Sequence, residues 1–142
     1  MTDRNLWGTF TIAEKKSPKS ILQEQADFLK ESTNNILMGE IYERPFLEID
    51  SDFVAKYAPI TKVPNIIKCT FNVVVPKMNN YKMALFDVVY SILDFYPLTI
   101  RDAINKQELD CNNQDEFIYN LANVIQSEYT RKVIENLILQ SR

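Results

Sequence analysis

The chain reads as an α+β domain: an N-terminal helix, an antiparallel sheet of about four short strands and a C-terminal helical pair, in a single domain over residues 1–142. Three observations carry that expectation. A capped amphipathic stretch begins at Ser17, apolar residues alternate through positions 66–75, and two apolar stripes at helical spacing run from Phe117 to Ile138. Hydrophobic residues make up 46% of the chain and charged ones 25%, a globular balance, and no repeat or low-complexity linker divides it.

The elements follow in order. Residues 6–13 are rich in strand formers and read as a short terminal strand or a segment docked on the core. Ser17 before Pro18 suits an N-cap with proline in the first turn, and Ser20 with Gln23 offers a second capping box. Ile21, Leu22, Ala26, Phe28 and Leu29 then share one apolar stripe, and Asn34-Asn35 ends the helix, because Asn tolerates the left-handed conformation.

Two strands come next. In residues 36–43, Leu37, Gly39 and Ile41 share a face, and Pro45 makes this an edge strand or a strand with a bulge. In residues 66–75, Ile67, Cys69, Phe71, Val73 and Val75 point one way and Lys68, Thr70 and Asn72 the other, as in a strand with one wet face. Residues 50–62 between them include a turn of helix at 52–57.

Residues 79–93 read as a helix. Tyr81, Leu85, Val88, Val89 and Ile92 recur at helical spacing, and a strand reading leaves neither face cleanly apolar, although half the segment is β-branched or aromatic. Residues 97–100 and 108–111 are short strands around a loop. At the C-terminus, Asn113 with Glu116 makes a capping pair. Phe117, Leu121, Val124 and Ile125 form one stripe and Tyr129, Val133, Ile134, Leu137 and Ile138 the next. Ser127 is either a break between two helices or a residue within one long helix, and the helical pair is the reading taken. The stripe carrying Leu121, Ile125, Ile134 and Ile138 is expected to pack on the sheet that carries Phe71 and Val73.

Composition excludes much chemistry. The chain has no His, so a Ser-His or Cys-His relay has no base, and a zinc site has no nitrogen ligand. Its two Cys cannot form a four-thiolate cage. With glycine only at positions 8 and 39, neither Gly-rich phosphate loop can be written. Net charge is −3 and evenly spread, and the largest basic cluster is Lys15, Lys16 and Lys19, so no nucleic-acid partner is expected. No apolar run approaches the length that spans a bilayer, and residues 1–12 carry no apolar leader, so neither a membrane partner nor an export signal is expected. Cys69 and Cys111 are too few for a disulfide framework and read as buried, reduced thiols in a cytoplasmic protein.

Four groups remain as candidate chemistry. Glu48, Asp50 and Asp52 would set three carboxylates on one side of an extended segment, yet they lack the glycine of a calcium loop and read as a solvated turn. Glu14-Lys15-Lys16 has the Glu-x-Lys spacing of some metal nucleases without the upstream Asp partner. Glu40 would act as a general acid or base under a covered face, but reads as a surface carboxylate opposite Lys68. Tyr81, Phe86, Tyr90, Phe95 and Tyr96 read as core with hydroxyls reaching the surface. No catalytic, cofactor or metal residue is therefore assigned. The expectation is a non-enzymatic protein-interaction domain of accessory or neutralising type whose partner is another protein, with a homodimer left open. The alternative is a small-ligand binder or a carboxylate-based enzyme with a closed aromatic pocket.

Overall fold

In the computed structural model, which describes residues 4–10, 15–45 and 65–142, three helices lie against one face of a five-stranded antiparallel sheet. Ser17 caps helix α1 (Pro18–Ser32), its hydroxyl accepting from the Ser20 amide at 3.1 Å. Thr33 ends the helix. Its Oγ1 donates to the Leu29 carbonyl at 2.9 Å and accepts the Leu37 amide at 3.1 Å, tying the helix end to the next strand. Asn34 and Asn35 follow at φ of 52° and 66°, the left-handed conformation expected of that pair.

The sheet is a meander in chain order: β1 (Met38–Pro45), β2 (Ile66–Val75), β3 (Tyr81–Ser91), β4 (Leu98–Asp102) and β5 (Gln107–Cys111). Among the described residues β1 is an edge strand that closes on Pro45. Cys69, Phe71, Val73 and Val75 face the helices and are buried, as their alternation implies. Helix α2 (Gln114–Ile125) starts on Asn113, whose Oδ1 accepts the Glu116 amide at 2.9 Å. Ser127 breaks the run and caps helix α3 (Glu128–Gln140). The core joins Ile21, Leu22 and Ala26 of α1, the inner sheet face, and Phe117, Leu121 and Val124 of α2.

One element differs from the sequence reading. Residues 81–91 are a strand and not a helix, and they raise the strand count from about four to five. Their alternation is hidden for two reasons. Phe71 pairs with Phe86 and Asn72 with Ala84, so Leu85 is an inserted bulge residue and the inward set shifts from odd to even positions there. The strand is also central and buried on both faces, since Val89 and Ser91 are covered on the side away from the helices. Asp87, which spoils an apolar face on paper, accepts the Thr70 hydroxyl at 2.6 Å and faces Lys68 at 3.5 Å. That far face is not simply wet, because Ile66 and Thr99 are buried on it too.

Residues 4–10 form no strand, and residues 11–13 of the expected terminal segment lie outside the described residues, as does the helical turn at 52–57.

Candidate functional site

Helix α1 lies close on β1, while α2 packs against β5 and β4. α3 then turns back over the sheet toward the C-terminal half of α1. It does not close the gap. A groove of about 390 Å³ remains between them, within the usual range for ligand sites. Phe71, Leu85 and Phe86 are its floor, Phe28 and Leu29 stand on the α1 wall, and Ile125, Ile134 and Ile138 stand opposite. The floor is aromatic, with the Phe71 and Phe86 rings stacked at 5.1 Å and 16°. A cleft of about 230 Å³ between α1 and α2 adjoins the groove, with Gln25 and Ile125 lining both.

The open wall has a structural cause. α3 is tied down at its N-terminus by polar contacts, not by apolar burial. Asn105 Nδ2 donates to Asp102 at 2.8 Å and to the Ser127 hydroxyl at 3.0 Å, and Ser127 donates to Thr130 Oγ1 at 2.8 Å. Thr130 is the one residue described as buried within α3. Ile134, Leu137 and Ile138 are only half-buried, and across the gap Phe28 is 56% exposed. The expected packing of this stripe on the sheet is thus partial. Leu121 is fully buried, whereas the three isoleucines overhang Phe71 as a groove wall.

The groove offers little material for catalysis. Two of its hydroxyls are already engaged, Thr33 with Leu29 and Leu37 and Thr130 with Ser127, and the third, Ser32, belongs to an exposed residue at the end of α1. Its charged groups, Arg131 and Glu135, are exposed. What it presents is apolar surface.

The residues singled out in the sequence lie elsewhere. Glu40 sits on the far face of β1, opposite Asn72 and not Lys68, which faces Asp87 instead. The Glu40 carboxylate is bound by Lys82 at 2.9 Å and by Asn72 at 3.3 Å, and the Lys82 hydrogen bond holds its pKa below the usual range. That is a surface ion pair, not a covered acid or base. Lys16 pairs with Glu24 at 2.6 Å and Lys19 with Glu43 at 2.6 Å. Glu14, Glu48, Asp50 and Asp52 lie outside the described residues. Among the described residues no group of His, Cys, Asp or Glu is placed to hold a metal ion.

The aromatic residues divide. Phe86 and Tyr90 are core, Phe95 sets its ring edgewise to Tyr90 at 5.9 Å, and Tyr81 is exposed. Tyr96 keeps a buried hydroxyl with no hydrogen-bond partner, and burial raises its pKa to about 12. Only Phe86 of the five reaches the groove. Both thiols are free and buried, Cys69 beside the Tyr90 hydroxyl at 3.8 Å, and burial raises both thiol pKa values. The groove itself escaped the sequence reading. Its one advance signal was Phe28, assigned to the apolar stripe of α1 although it lies toward the edge of that stripe.

Comparison with protein-family models, curated proteins and solved structures finds no match to this chain. No helix among the described residues is long and apolar enough to cross a membrane.

Proposed function

We propose that this chain is a non-catalytic binding domain that takes an apolar segment of another protein into the groove between α1 and α3. The observation that carries the reading is the incomplete burial of α3: Ile134, Leu137 and Ile138 face the body of the domain without being closed over, opposite an exposed Phe28. A helix gains most of its stability from burying such a stripe, so a partner that completes the burial adds to binding what the fold leaves unused. Anchors at helical spacing on a partner segment suit a groove of this shape. Two buried, unpaired thiols support the cytoplasm as its compartment.

The test uses Phe28, because a residue already exposed can be changed without unfolding the domain. Immobilised wild type, Phe28→Glu and, as a distant control, Tyr119→Glu are compared for polypeptides retained from native lysate, with melting temperatures checked in parallel. The reading requires a polypeptide retained by wild type and the control and lost by Phe28→Glu. Retention that ignores Phe28 sinks it. A second reading, a small apolar ligand, is favoured by the volume of about 390 Å³. Native mass spectrometry of the purified chain would show that ligand as a bound mass lost in Phe28→Glu.

A further inference from the structure

The chain carries an apolar segment that stands exposed among the described residues. Leu6 is 73% exposed, Trp7 80% and Phe10 70%, with the two aromatic rings 6.3 Å apart. Three large apolar side chains within five residues, all in water, are unusual in a segment that makes no strand or helix. The same chain enters the body beside the groove. The Lys16 amide donates to Gln114 Oε1 at 3.2 Å, and both residues line the cleft that adjoins the groove at Gln25 and Ile125.

We propose that Leu6, Trp7 and Phe10 dock in the groove between α1 and α3 of their own chain and cover it until another partner displaces them. The proposal rests on the reading of that groove as a docking site. Reach allows it. From Lys16 back to Phe10 is six residues, which extend to about 20 Å. From Lys16 to the level of Phe28 along α1 is twelve residues, about 18 Å at the rise of a helix. Phe10 therefore reaches the groove beside Phe28 near full extension, and Trp7 reaches it with three residues to spare. Chemistry allows it as well. The floor of Phe71, Leu85 and Phe86 offers aromatic and aliphatic surface without a charged group, and a site of about 390 Å³ is of the size that holds a drug-sized ligand, comparable to an indole and a phenyl ring together.

Tethering makes the segment's own groove its first partner. A short covalent tether gives an effective concentration in the millimolar range, so even contacts too weak to hold two separate molecules keep the groove occupied for much of the time. A second copy of the chain has to compete with that concentration from solution.

Trp7 is the single tryptophan of the chain, so its fluorescence reports the segment alone. Emission and acrylamide quenching are measured on wild type and Phe28→Glu, each at two protein concentrations tenfold apart, with the urea-unfolded chain as reference. The expected result is blue-shifted emission and quenching several-fold weaker than in urea, the same at both concentrations. Phe28→Glu should return both quantities toward the unfolded values with the far-UV circular dichroism unchanged. Quenching in wild type as strong as in urea overturns the proposal. A blue shift that grows with concentration overturns it too, in favour of a second copy as occupant, and so does one that Phe28→Glu leaves intact. The reading of the groove as a partner site fails separately, through the lysate comparison. If both stand, replacing Leu6, Trp7 and Phe10 by serine raises retention of the partner several-fold.

Discussion

A β-carbon on Gly39 would stand 2.6 Å from the β-carbon of Ala26 and 2.7 Å from its α-carbon, so α1 rests directly on the backbone of β1. No real side chain tolerates that separation, and the obstacle is helix backbone, which cannot rotate away. Gly39→Ala is therefore expected to lift α1 off the sheet and to cost about 1–3 kcal/mol, the usual range for overpacking. Urea denaturation measures it. A neutral result would mean that α1 sits further from β1 than described.

The two helix stripes should differ in energy. Leu121→Ala empties a fully buried site and is expected to cost about 2–5 kcal/mol. Ile134→Ala trims a half-buried groove wall and should cost roughly half as much, about 1–2 kcal/mol. Equal costs in chemical denaturation would show the groove closed in solution.

Asp102 holds the turn that positions α3. It is 3% exposed and accepts the amides of Ile104 at 3.0 Å and Asn105 at 3.1 Å, besides the Asn105 side chain. Asp102→Ala leaves these donors without their acceptor, at a cost of about 1–3 kcal/mol. Hydrogen exchange should then rise first in the opening turn of α3, where Asn105 holds Ser127. Exchange that rises evenly over the chain would deny Asp102 that local role.

Stability should fall on the alkaline side. Burial raises the pKa of Cys69, Cys111, Tyr90 and Tyr96, so the unfolded chain ionises at a lower pH than the folded one. The contribution is complete below the ordinary thiol pKa of about 8.5 and is lost as pH rises toward the folded values. Melting temperatures from pH 7 to 10 should decline, and Cys69→Ala should flatten the decline. At the acid end the sign reverses for Glu40, whose lowered pKa stabilises the fold above the ordinary carboxylate range and is lost as pH falls through the folded value. The Lys82 pair is well exposed, so that loss is about 1 kcal/mol or less. A flat profile between pH 7 and 10 would contradict the alkaline prediction.

Local signals carried most of the fold. Ser17, the Asn34-Asn35 pair, Asn113 with Glu116, and Ser127 mark helix ends because capping is a contact between near neighbours in the chain, and each does so in the structure. The alternation of residues 66–75 is legible because β2 meets two different environments on its two faces. The Asn79-Asn80 pair, with both residues at positive φ, forms the turn between two strands, a signal that the helical reading of 79–93 passed over.

Only tertiary structure decided the rest. β3 keeps no visible period because the Leu85 bulge resets its parity and burial on both faces removes the contrast that a period needs. Periodicity likewise names Phe28, Ile125, Ile134 and Ile138 as apolar, but it does not say whether two helices far apart in the chain close over them. That depends on where α1 is set by Gly39 against Ala26 and where α3 is set by Asp102, Asn105 and Ser127. These contacts hold the helices at a spacing that their own side chains do not fill, and the groove is what remains between them.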